Sequence, residues 1–202
     1  MLKSQYSETM IEAGCDEAGR GCLAGPVFAA AVILPKNFSL EGLNDSKLLT
    51  ARQRADLRKI IEATAIGWAV SKVDEKVIDE INILNASILA MHQALDLLRV
   101  KPQLLLIDGN RFRTYHDLPH HTIVHGDATY CSIAAASILA KTYRDDFMVK
   151  IHDEFPHYDW KHNKGYPCKN HRSGIAQYGL SPYHRRSFKH AEQIKLQFDA
   201  VR

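Results

Sequence analysis

The chain has 202 residues, of which 46% are hydrophobic and 24% are charged, and its formal net charge is +3. This composition excludes disordered, collagen-like and disulfide-scaffold proteins and predicts a globular chain with one main domain. A chain of this length buries roughly 70% of the surface that its unfolded state exposes, so it can fold without metal or disulfide crosslinks.

The first half of the sequence predicts strands and an amphipathic helix. The predicted strands cover Ile11–Asp16, Val27–Leu34 and Ala65–Val73. Between the second and third strands, Thr50 is a candidate N-cap for a helix in which Leu57, Ile60 and Ile61 share one face.

The second half predicts longer helices. A short charged helix over Asp74–Glu80 is followed by a second one that begins at Asn82 and ends before Pro102. Two strands and a buried helix are then predicted, over Leu104–Ile107, Thr122–Val124 and Tyr130–Lys150. Beyond Phe155 the composition indicates a helical and loop appendage. Strands flanked by long helices indicate an α/β protein in which helices pack on a sheet.

Positive charge is concentrated towards the C-terminus. Residues 150–190 contain eight Lys and Arg against three Asp and Glu, a net +5, together with six of the eleven His. Such a segment is typical of a face that binds a polyanion, or of a solvated lysine-rich surface. Charge alone leaves both interpretations open.

Cysteine usage and hydropathy bear on the cellular compartment. Cys15, Cys22, Cys131 and Cys168 are widely spaced and form no C-x-x-C pair, which favours a reduced, cytoplasmic setting. The longest apolar run, Val27–Leu34, is far shorter than the ~20 residues of a membrane helix, and the first ten residues lack the apolar region of a signal peptide. We expect a protein that is neither exported nor membrane-spanning.

A glycine-rich turn follows the first predicted strand. Gly19, Gly21 and Ala24 satisfy the dinucleotide-binding pattern G-x-G-x-x-G/A. That pattern requires a helix that begins at the turn and directs its N-terminus at a pyrophosphate. Here Pro26 and a β-branched run follow instead, so a dinucleotide site is not predicted.

Acidic residues stand at the ends of predicted buried segments. Asp16 and Glu17 end one strand, Asp108 ends another, and Asp127 precedes the buried helix. If the two strands are parallel neighbours, Asp16 and Asp108 meet at the edge where open α/β sheets bind ligands, and Glu17 joins them only if the chain bends. Converging carboxylates repel one another unless a cation is bound. Oxygen ligands without Cys or His favour Mg²⁺ or Mn²⁺, and two such ions serve phosphodiester hydrolysis.

Each acid also has a purely structural interpretation. Asp127 is a candidate cap for the following helix, Asp108-Gly109 is a common turn pair, and Asp16-Glu17 is a candidate surface bend. These interpretations do not explain why the acids end two buried segments and precede a third.

Other polar residues are assigned no chemistry. Asp145 and Asp146 are predicted to form helical surface pairs with Lys141, Lys150 or Arg144. Two pairs have zinc-like spacing without a second pair to complete a site, Cys168-x-x-His171 and His116-x-x-x-His120. The clustered C-terminal His are expected to be solvated or to face a substrate.

Seven motifs together carry a resemblance to a known family. In order they are Gly14-Cys-Asp-Glu-Ala-Gly-Arg-Gly21, Leu43-Asn-Asp-Ser-Lys47, Leu106-Ile-Asp-Gly-Asn110, His125-Gly-Asp127, Ile133-Ala-Ala-Ala-Ser-Ile-Leu-Ala-Lys141, Lys164-Gly-Tyr166 and His184-Arg-Arg-Ser-Phe188. With these motifs the chain resembles ribonuclease HII, the type 2 RNase H of bacteria, from about residue 11 to residue 190.

The resemblance implies a fold and an activity. The fold is an RNase H-like mixed β-sheet flanked by helices, with a catalytic core over residues 10–155 and a C-terminal helical extension over residues 156–202 in one compact unit. The activity is metal-dependent cleavage of the RNA strand of RNA/DNA hybrids, and incision 5′ of single ribonucleotides embedded in duplex DNA. The products carry 5′-phosphate and 3′-hydroxyl ends.

The resemblance also implies residue roles. The catalytic and metal-binding residues are Asp16, Glu17, Asp108 and Asp127, which would hold two Mg²⁺ or Mn²⁺ ions during catalysis. The substrate-binding residues are Gly19, Arg20, Gly21, Ser46, Lys47, Tyr166, Arg185 and Arg186. The glycine-rich turn would read the 2′-hydroxyl, Tyr166 would pack on the sugar of the next nucleotide, and Lys47, Arg185 and Arg186 would contact backbone phosphates.

Three positions depart from the family pattern. Cys22 stands where Pro is usual and Cys168 where Thr is usual, so a looser, oxidation-sensitive turn is expected. Leu48 replaces a common Lys and removes one possible phosphate contact.

Two alternatives to a ribonuclease HII remain: a related nuclease that ignores single ribonucleotides, and an inactive hybrid-binding module. A monomer is expected, and Gln193–Arg202 shows no clear motif for a replication clamp.

Overall fold

The computed structural model describes residues 2–190, which form a five-stranded mixed sheet between layers of helices. The strands are β1 Glu12–Ala18, β2 Val27–Ile33, β3 Gly67–Val73, β4 Leu104–Asp108 and β5 His120–Ile123. Their spatial order is β3-β2-β1-β4-β5. The pairs β1/β2 and β2/β3 are antiparallel, whereas β1/β4 and β4/β5 are parallel.

Helices cover both faces of the sheet. The helices on the two faces are α1 Ala51–Thr64, α2 Glu75–Leu97 and α3 Cys131–His152, whereas α4 Trp160–Asn163 and α5 Lys169–Tyr178 belong to the C-terminal extension. One core joins α2 to β1–β4, and another joins α1 and α3 to the opposite face of β2. Because β2 is covered on both faces, all seven of its residues are buried, and its sequence is continuously apolar rather than alternating.

Local sequence signals set the helix ends. Thr50 caps α1 through a reciprocal capping box with Gln53, as predicted. Of the three residues assigned to its buried face, Leu57 and Ile61 are buried but Ile60 is 41% exposed, because the face that contacts the core is narrower than predicted.

A break inside α2 separates the two helices that the sequence predicts there. Asn82 has φ 65° and ψ 165°, and its side chain accepts hydrogen bonds from the backbone N–H groups of Leu84 and Asn85. It therefore acts as the N-cap of the longer segment. The predicted strand over Thr122–Val124 is shifted, because β5 ends at Ile123 and Val124 lies exposed.

Helix α3 crosses β1 at very short distance. A Cβ atom on Gly14 would lie 2.3 Å from the carbonyl carbon of Ser132 and 2.4 Å from the amide nitrogen of Ile133. Only glycine allows this approach, since real Cβ contacts do not fall below about 3 Å.

The C-terminal extension packs on the end of α3. A 3₁₀ turn, Pro156–Tyr158, leads into α4 and α5, and Tyr158 and Trp160 bury their rings against Met148 and Leu23. His171, His184 and His190 are buried in this extension, so the expectation that they are solvated or substrate-facing is wrong.

The segment considered for clamp binding, Gln193–Arg202, lies outside the described residues. Within residues 2–190, no helix has the length and apolar character needed to cross a membrane.

Candidate active site

The parallel pairing of β1 and β4 brings two acids to one sheet edge. Cys15 pairs with Ile107, so Asp16 and Asp108 follow at neighbouring strand ends, as predicted for parallel neighbours. Asp127 approaches from the segment after β5. One carboxylate oxygen from each of Asp16, Asp108 and Asp127 lies within 4.8 Å of the others. These three residues are called the carboxyl cluster below.

Asp108 organises the segment that carries Asp127. Its Oδ1 accepts hydrogen bonds from the backbone N–H of Gly126 at 2.8 Å and of Asp127 at 3.4 Å. Asp127 sits in the 3₁₀ turn Gly126–Ala128, and the N-cap of α3 is Tyr130, without a side-chain cap. Asp127 therefore does not cap α3, and its carboxylate is directed to the cluster instead.

Glu17 stands beside the carboxyl cluster rather than in it. Successive residues of a strand point to opposite sides, and its Oε1 pairs with Arg20 Nη1 at 3.1 Å. Glu17 still lines the same cavity as Asp16 and Asp108. The predicted convergence of four acids is thus observed for three.

The carboxyl cluster is electrostatically unfavourable as it stands. Burial, followed by the charges of Glu17 and Asp108, raises the pKa of Asp16 well above its usual value. Burial and the charge of Asp108 likewise raise the pKa of Asp127. Lys47 Nζ lies 3.5 Å from Asp127 Oδ2, but the lysine side chain is 76% exposed and neutralises the site only weakly.

The donor set fits a divalent cation. Asp127 Oδ2 is buried and accepts no hydrogen bond from any described residue. An unsatisfied buried carboxylate oxygen is costly, and a bound cation would remove both this cost and the mutual repulsion. Three carboxylates without Cys or His favour a hard, oxygen-preferring ion such as Mg²⁺ or Mn²⁺.

A cavity of ≈ 220 Å³ opens in front of Asp16 and Asp108. It is lined by six of the predicted substrate-binding residues, Gly19, Arg20, Gly21, Ser46, Lys47 and Tyr166. Ser46 is buried and its hydroxyl contacts the hydroxyl of Ser137 at 2.9 Å. Two other lining residues stand in one of the seven motifs but were not predicted to belong to the site: Ser137 was assigned no role, and Lys141 was predicted only as an ion-pair partner of Asp145 or Asp146.

Tyr166 forms the outer wall of the cavity. Its side chain is 42% exposed, and Lys141 Nζ lies 5.7 Å from its ring centroid. Lys141 is held in turn by Asp145 at 2.7 Å. Near Tyr166, Cys22 is fully buried and Cys168 is exposed, so only Cys168 retains the expected sensitivity to oxidation.

The two adjacent arginines differ sharply. Arg186 is exposed, but Arg185 is fully buried and donates hydrogen bonds to the carbonyl oxygens of Gly25 and Arg20. The prediction that Arg185 contacts a phosphate is therefore wrong, because its guanidinium is committed to the protein backbone.

Of the helical pairs predicted for Asp145 and Asp146, only that of Asp145 with Lys141 is confirmed. Asp146 pairs with Arg58 at 2.7 Å, while Arg144, one of the predicted partners of these acids, is buried and bonded to backbone carbonyls instead. Among residues 2–190, the carboxyl cluster is the single group of acids, His and Cys that meets metal-site geometry. The zinc-like pairs form no such site.

The sheet order, the flanking helices and the C-terminal extension define the RNase H-like fold. In proteins of this class, an acid-lined edge of the sheet hydrolyses phosphodiesters with divalent metal. A family model described as ribonuclease HII matches residues 13–191, and the chain belongs to the ribonuclease HII family. It is therefore a metal-dependent endoribonuclease that acts on RNA/DNA hybrids.

Individual relatives agree with this assignment. Ribonuclease HII of Bacteroides fragilis is 64% identical over 188 residues, which is 93% of this chain and 94% of the relative. The crystal structure of ribonuclease H2 from Pyrococcus horikoshii matches with a TM-score of 0.76 at 27% identity, over 93% of this chain and 98% of that one. Ribonuclease HII of Archaeoglobus fulgidus, solved in a complex with PCNA, matches with a TM-score of 0.73 at 25% identity, over 89% and 95%.

Proposed function

We propose that the enzyme incises duplex DNA 5′ of a single embedded ribonucleotide, besides cleaving the RNA strand of hybrids, and that it uses two divalent ions. The observation that carries this proposal is the carboxyl cluster: its Asp127 oxygen accepts no hydrogen bond from the described residues, and its other two acids, Asp16 and Asp108, line the same cavity as the glycine-rich turn and Tyr166. Cleavage would leave 5′-phosphate and 3′-hydroxyl ends.

Asp16, Asp108 and Asp127 would hold the ions, with Glu17 completing the set from the side of Arg20. Divalent ions, when bound at such a site, supply activation of a water and stabilisation of the charge on the leaving 3′-oxygen. The protein fixes the carboxylates in place: Asp108 is held by two backbone N–H groups, and Asp16 by the pairing of β1. Mg²⁺ and Mn²⁺ both suit this donor set.

The turn Gly19–Gly21 is suited to recognise the ribose. Gly21 is exposed, and no atom lies within 4 Å of the place where its Cβ would be, so a substrate can approach the backbone there. Gly19 has φ +99° and would clash with Arg144 if it carried a side chain. Backbone groups of this turn would hydrogen-bond to the 2′-hydroxyl, the group that distinguishes RNA from DNA at one nucleotide.

Tyr166 would contact the sugar of the nucleotide that follows the ribonucleotide. Its partly exposed ring borders the same cavity as the glycine-rich turn. Packing against a deoxyribose favours an RNA-to-DNA junction at this point. Lys47 and Arg186 are exposed and would contact backbone phosphates, which orient the duplex without reading its sequence.

The extension over residues 156–202 would serve mainly to bind the substrate, since it carries Tyr166 and Arg186. A cytoplasmic location is supported by the four cysteines, none of which forms a disulfide within the described residues.

The decisive experiment offers the protein a DNA duplex with one ribonucleotide, in Mg²⁺ or Mn²⁺. We expect incision 5′ of the ribonucleotide by the natural chain and none by Asp108→Asn, which keeps the oxygen that binds the turn of Asp127 but loses the charge. Asp146→Asn, an exposed acid paired with Arg58, is the matched control and should retain activity. Undiminished incision by Asp108→Asn would contradict the proposal.

The same assay separates the alternatives. A uniform RNA/DNA hybrid offered in parallel would be cleaved while the single ribonucleotide is ignored, if the enzyme had a hybrid-only preference. A binding module without turnover would bind either duplex without metal and cleave neither. Tyr166 beside the carboxyl cluster favours cleavage of both substrates.

A further inference from the structure

Two consecutive residues of the extension, His184 and Arg185, support the two walls of the cavity by separate routes. Both are buried, at 2% and 0% exposure, and both lie outside the cavity lining. Neither acts on substrate directly. Their hydrogen bonds nevertheless lead to the glycine-rich turn on one side and to Tyr166 on the other.

Arg185 supports the turn. Its Nη1 donates to the carbonyl of Arg20 at 2.9 Å, and its Nε and Nη2 donate to the carbonyl of Gly25 at 3.0 and 2.8 Å. Its own backbone N–H donates to the carbonyl of Leu23 at 2.9 Å. The fork geometry of a guanidinium can bind two carbonyl groups at once, and this spacing fixes one end of the turn relative to the other.

His184 supports Tyr166 through His171. The backbone N–H of Ser181 donates to His184 Nδ1 at 2.9 Å, which leaves the His184 proton on Nε2, 3.1 Å from His171 Nε2. His171 Nε2 also accepts from Trp160 Nε1 at 3.0 Å, so the His171 proton is on Nδ1. That Nδ1–H donates to the carbonyl of Tyr166 at 3.0 Å.

Arg144 joins the two routes. Its guanidinium, also fully buried, donates to the carbonyls of Pro26, Ala24 and Lys164 at 3.0, 3.1 and 2.8 Å. The first two carbonyls follow the glycine-rich turn, and the third lies two residues before Tyr166. Neither this residue nor Arg185 forms an ion pair with a described carboxylate, so backbone carbonyls satisfy both buried cations.

We propose that His184 and Arg185 are positioning residues that set the distance between the glycine-rich turn and Tyr166, and thereby the preference for an RNA-to-DNA junction. The inference rests on the proposed function, in which the turn reads the ribonucleotide and Tyr166 reads the next sugar. A junction substrate uses both contacts, whereas in a uniform hybrid the sugar at Tyr166 is a ribose and gains less. A change in the distance between the glycine-rich turn and Tyr166 therefore lowers kcat/KM more for the junction substrate than for the uniform hybrid.

The test compares kcat and KM for a single-ribonucleotide duplex and a uniform hybrid. We expect Arg185→Met and His184→Gln to lower the ratio of the two kcat/KM values on the order of tenfold, since misplacement by an ångström has effects of this size or larger. Arg185→Lys keeps the charge without the fork and should recover part of the ratio.

Ile175→Ala is the control, because Ile175 is buried in the same extension but its apolar side chain makes none of the hydrogen bonds of either route. It should lower thermal stability and leave the ratio unchanged. An unchanged ratio in folded Arg185→Met and His184→Gln, or an equal change in Ile175→Ala, would overturn the inference.

A further variant distinguishes failure of the inference from failure of the proposed function. If the natural chain ignores single ribonucleotides, or Tyr166→Ala does not alter the ratio, the proposed recognition itself is wrong. If Tyr166→Ala lowers the ratio while the Arg185 and His184 variants do not, recognition stands and the positioning role is rejected.

Discussion

The carboxyl cluster and the buried guanidinium groups of Arg144 and Arg185 are both charges removed from water, but they are satisfied in opposite ways. Every hydrogen bond that these two guanidinium groups donate is accepted by a backbone carbonyl of the described residues. The cluster leaves Asp127 Oδ2 without a hydrogen bond from the described residues. A buried charge with all its hydrogen bonds made indicates a structural role, whereas a buried charge that lacks hydrogen-bond partners indicates a ligand-binding site.

Removing a charge from the cluster is expected to have the largest effect on activity and little cost in stability. Asp127→Asn should lower kcat about 10²–10³-fold, equivalent to several kcal/mol of metal-dependent transition-state stabilisation. In chelator its melting temperature should be unchanged or higher, because repulsion with Asp108 is relieved. Incision assays and thermal unfolding check both effects. A marked loss of stability would show that the charge of Asp127 stabilises the fold, as the buried guanidinium groups do.

Removing a buried guanidinium group, in contrast, should lower the stability of the folded protein. Arg185→Met leaves the carbonyls of Arg20 and Gly25 without their donors, and we expect a loss of about 3 kcal/mol in the free energy of unfolding. Urea denaturation measures it. The neighbouring Arg186→Met, at an exposed position, is the control and should leave the midpoint nearly unchanged.

Metal binding should stabilise the folded protein through the cluster alone. At a concentration of Mg²⁺ or Mn²⁺ one hundred times Kd, the gain is about 2.7 kcal/mol per site. Thermal unfolding with and without metal should show this gain in the natural chain and in Asp146→Asn. Asp108→Asn should lose it, and a gain that survives there would place the ion elsewhere.

Acidification should destabilise the extension through His184. Burial and the nearby His171 and His190 lower its pKa to about 3, against about 6.5 in an unfolded chain. The unfolded state therefore binds more protons between these values, so stability is complete above about pH 6.5 and is lost as the pH falls. The loss between pH 6.5 and 5 is about 2 kcal/mol.

Urea denaturation at the two pH values measures this loss. The variant His184→Gln has no imidazole to protonate at this position, so its stability should depend less steeply on pH. A slope equal to that of the natural chain would show that other groups carry the acid sensitivity. The lowered pKa of His171, which burial also causes, accounts for a residual slope in the variant.

The smallest effect is expected at the substrate-facing surface. If Arg186 contacts one phosphate, Arg186→Ala should reduce the slope of log Kd against log salt concentration by roughly 0.9. Binding of a non-cleavable duplex across a salt series measures this slope. An unchanged slope would remove Arg186 from the phosphate contacts.

The sequence predicted the parts of the fold that depend on local signals. Thr50 and Asn82 mark helix starts through their own side-chain hydrogen bonds, and continuous apolar runs mark the doubly covered strands. The strand order came from the family resemblance, because periodicity does not specify which strands are neighbours. The acids at the strand ends then identified the carboxyl cluster.

Burial of polar residues could not be predicted in the same way. Arg185 and His184 have side chains that are usually exposed, and they are buried here because carbonyls and other rings far along the chain satisfy them. The position of Glu17 beside the carboxyl cluster rather than in it, where it pairs with Arg20, could not be predicted either, because it depends on β1 continuing to Ala18.

Gly14 has a consequence for how the enzyme tolerates mutation. It lies on the same face of β1 as Asp16, two residues earlier, where α3 is in backbone contact. Any side chain there would push α3, which carries Ser137 and Lys141, away from the strand that carries Asp16. A random mutagenesis screen scored by activity would therefore class Gly14 with the catalytic acids, although it lies outside the cavity.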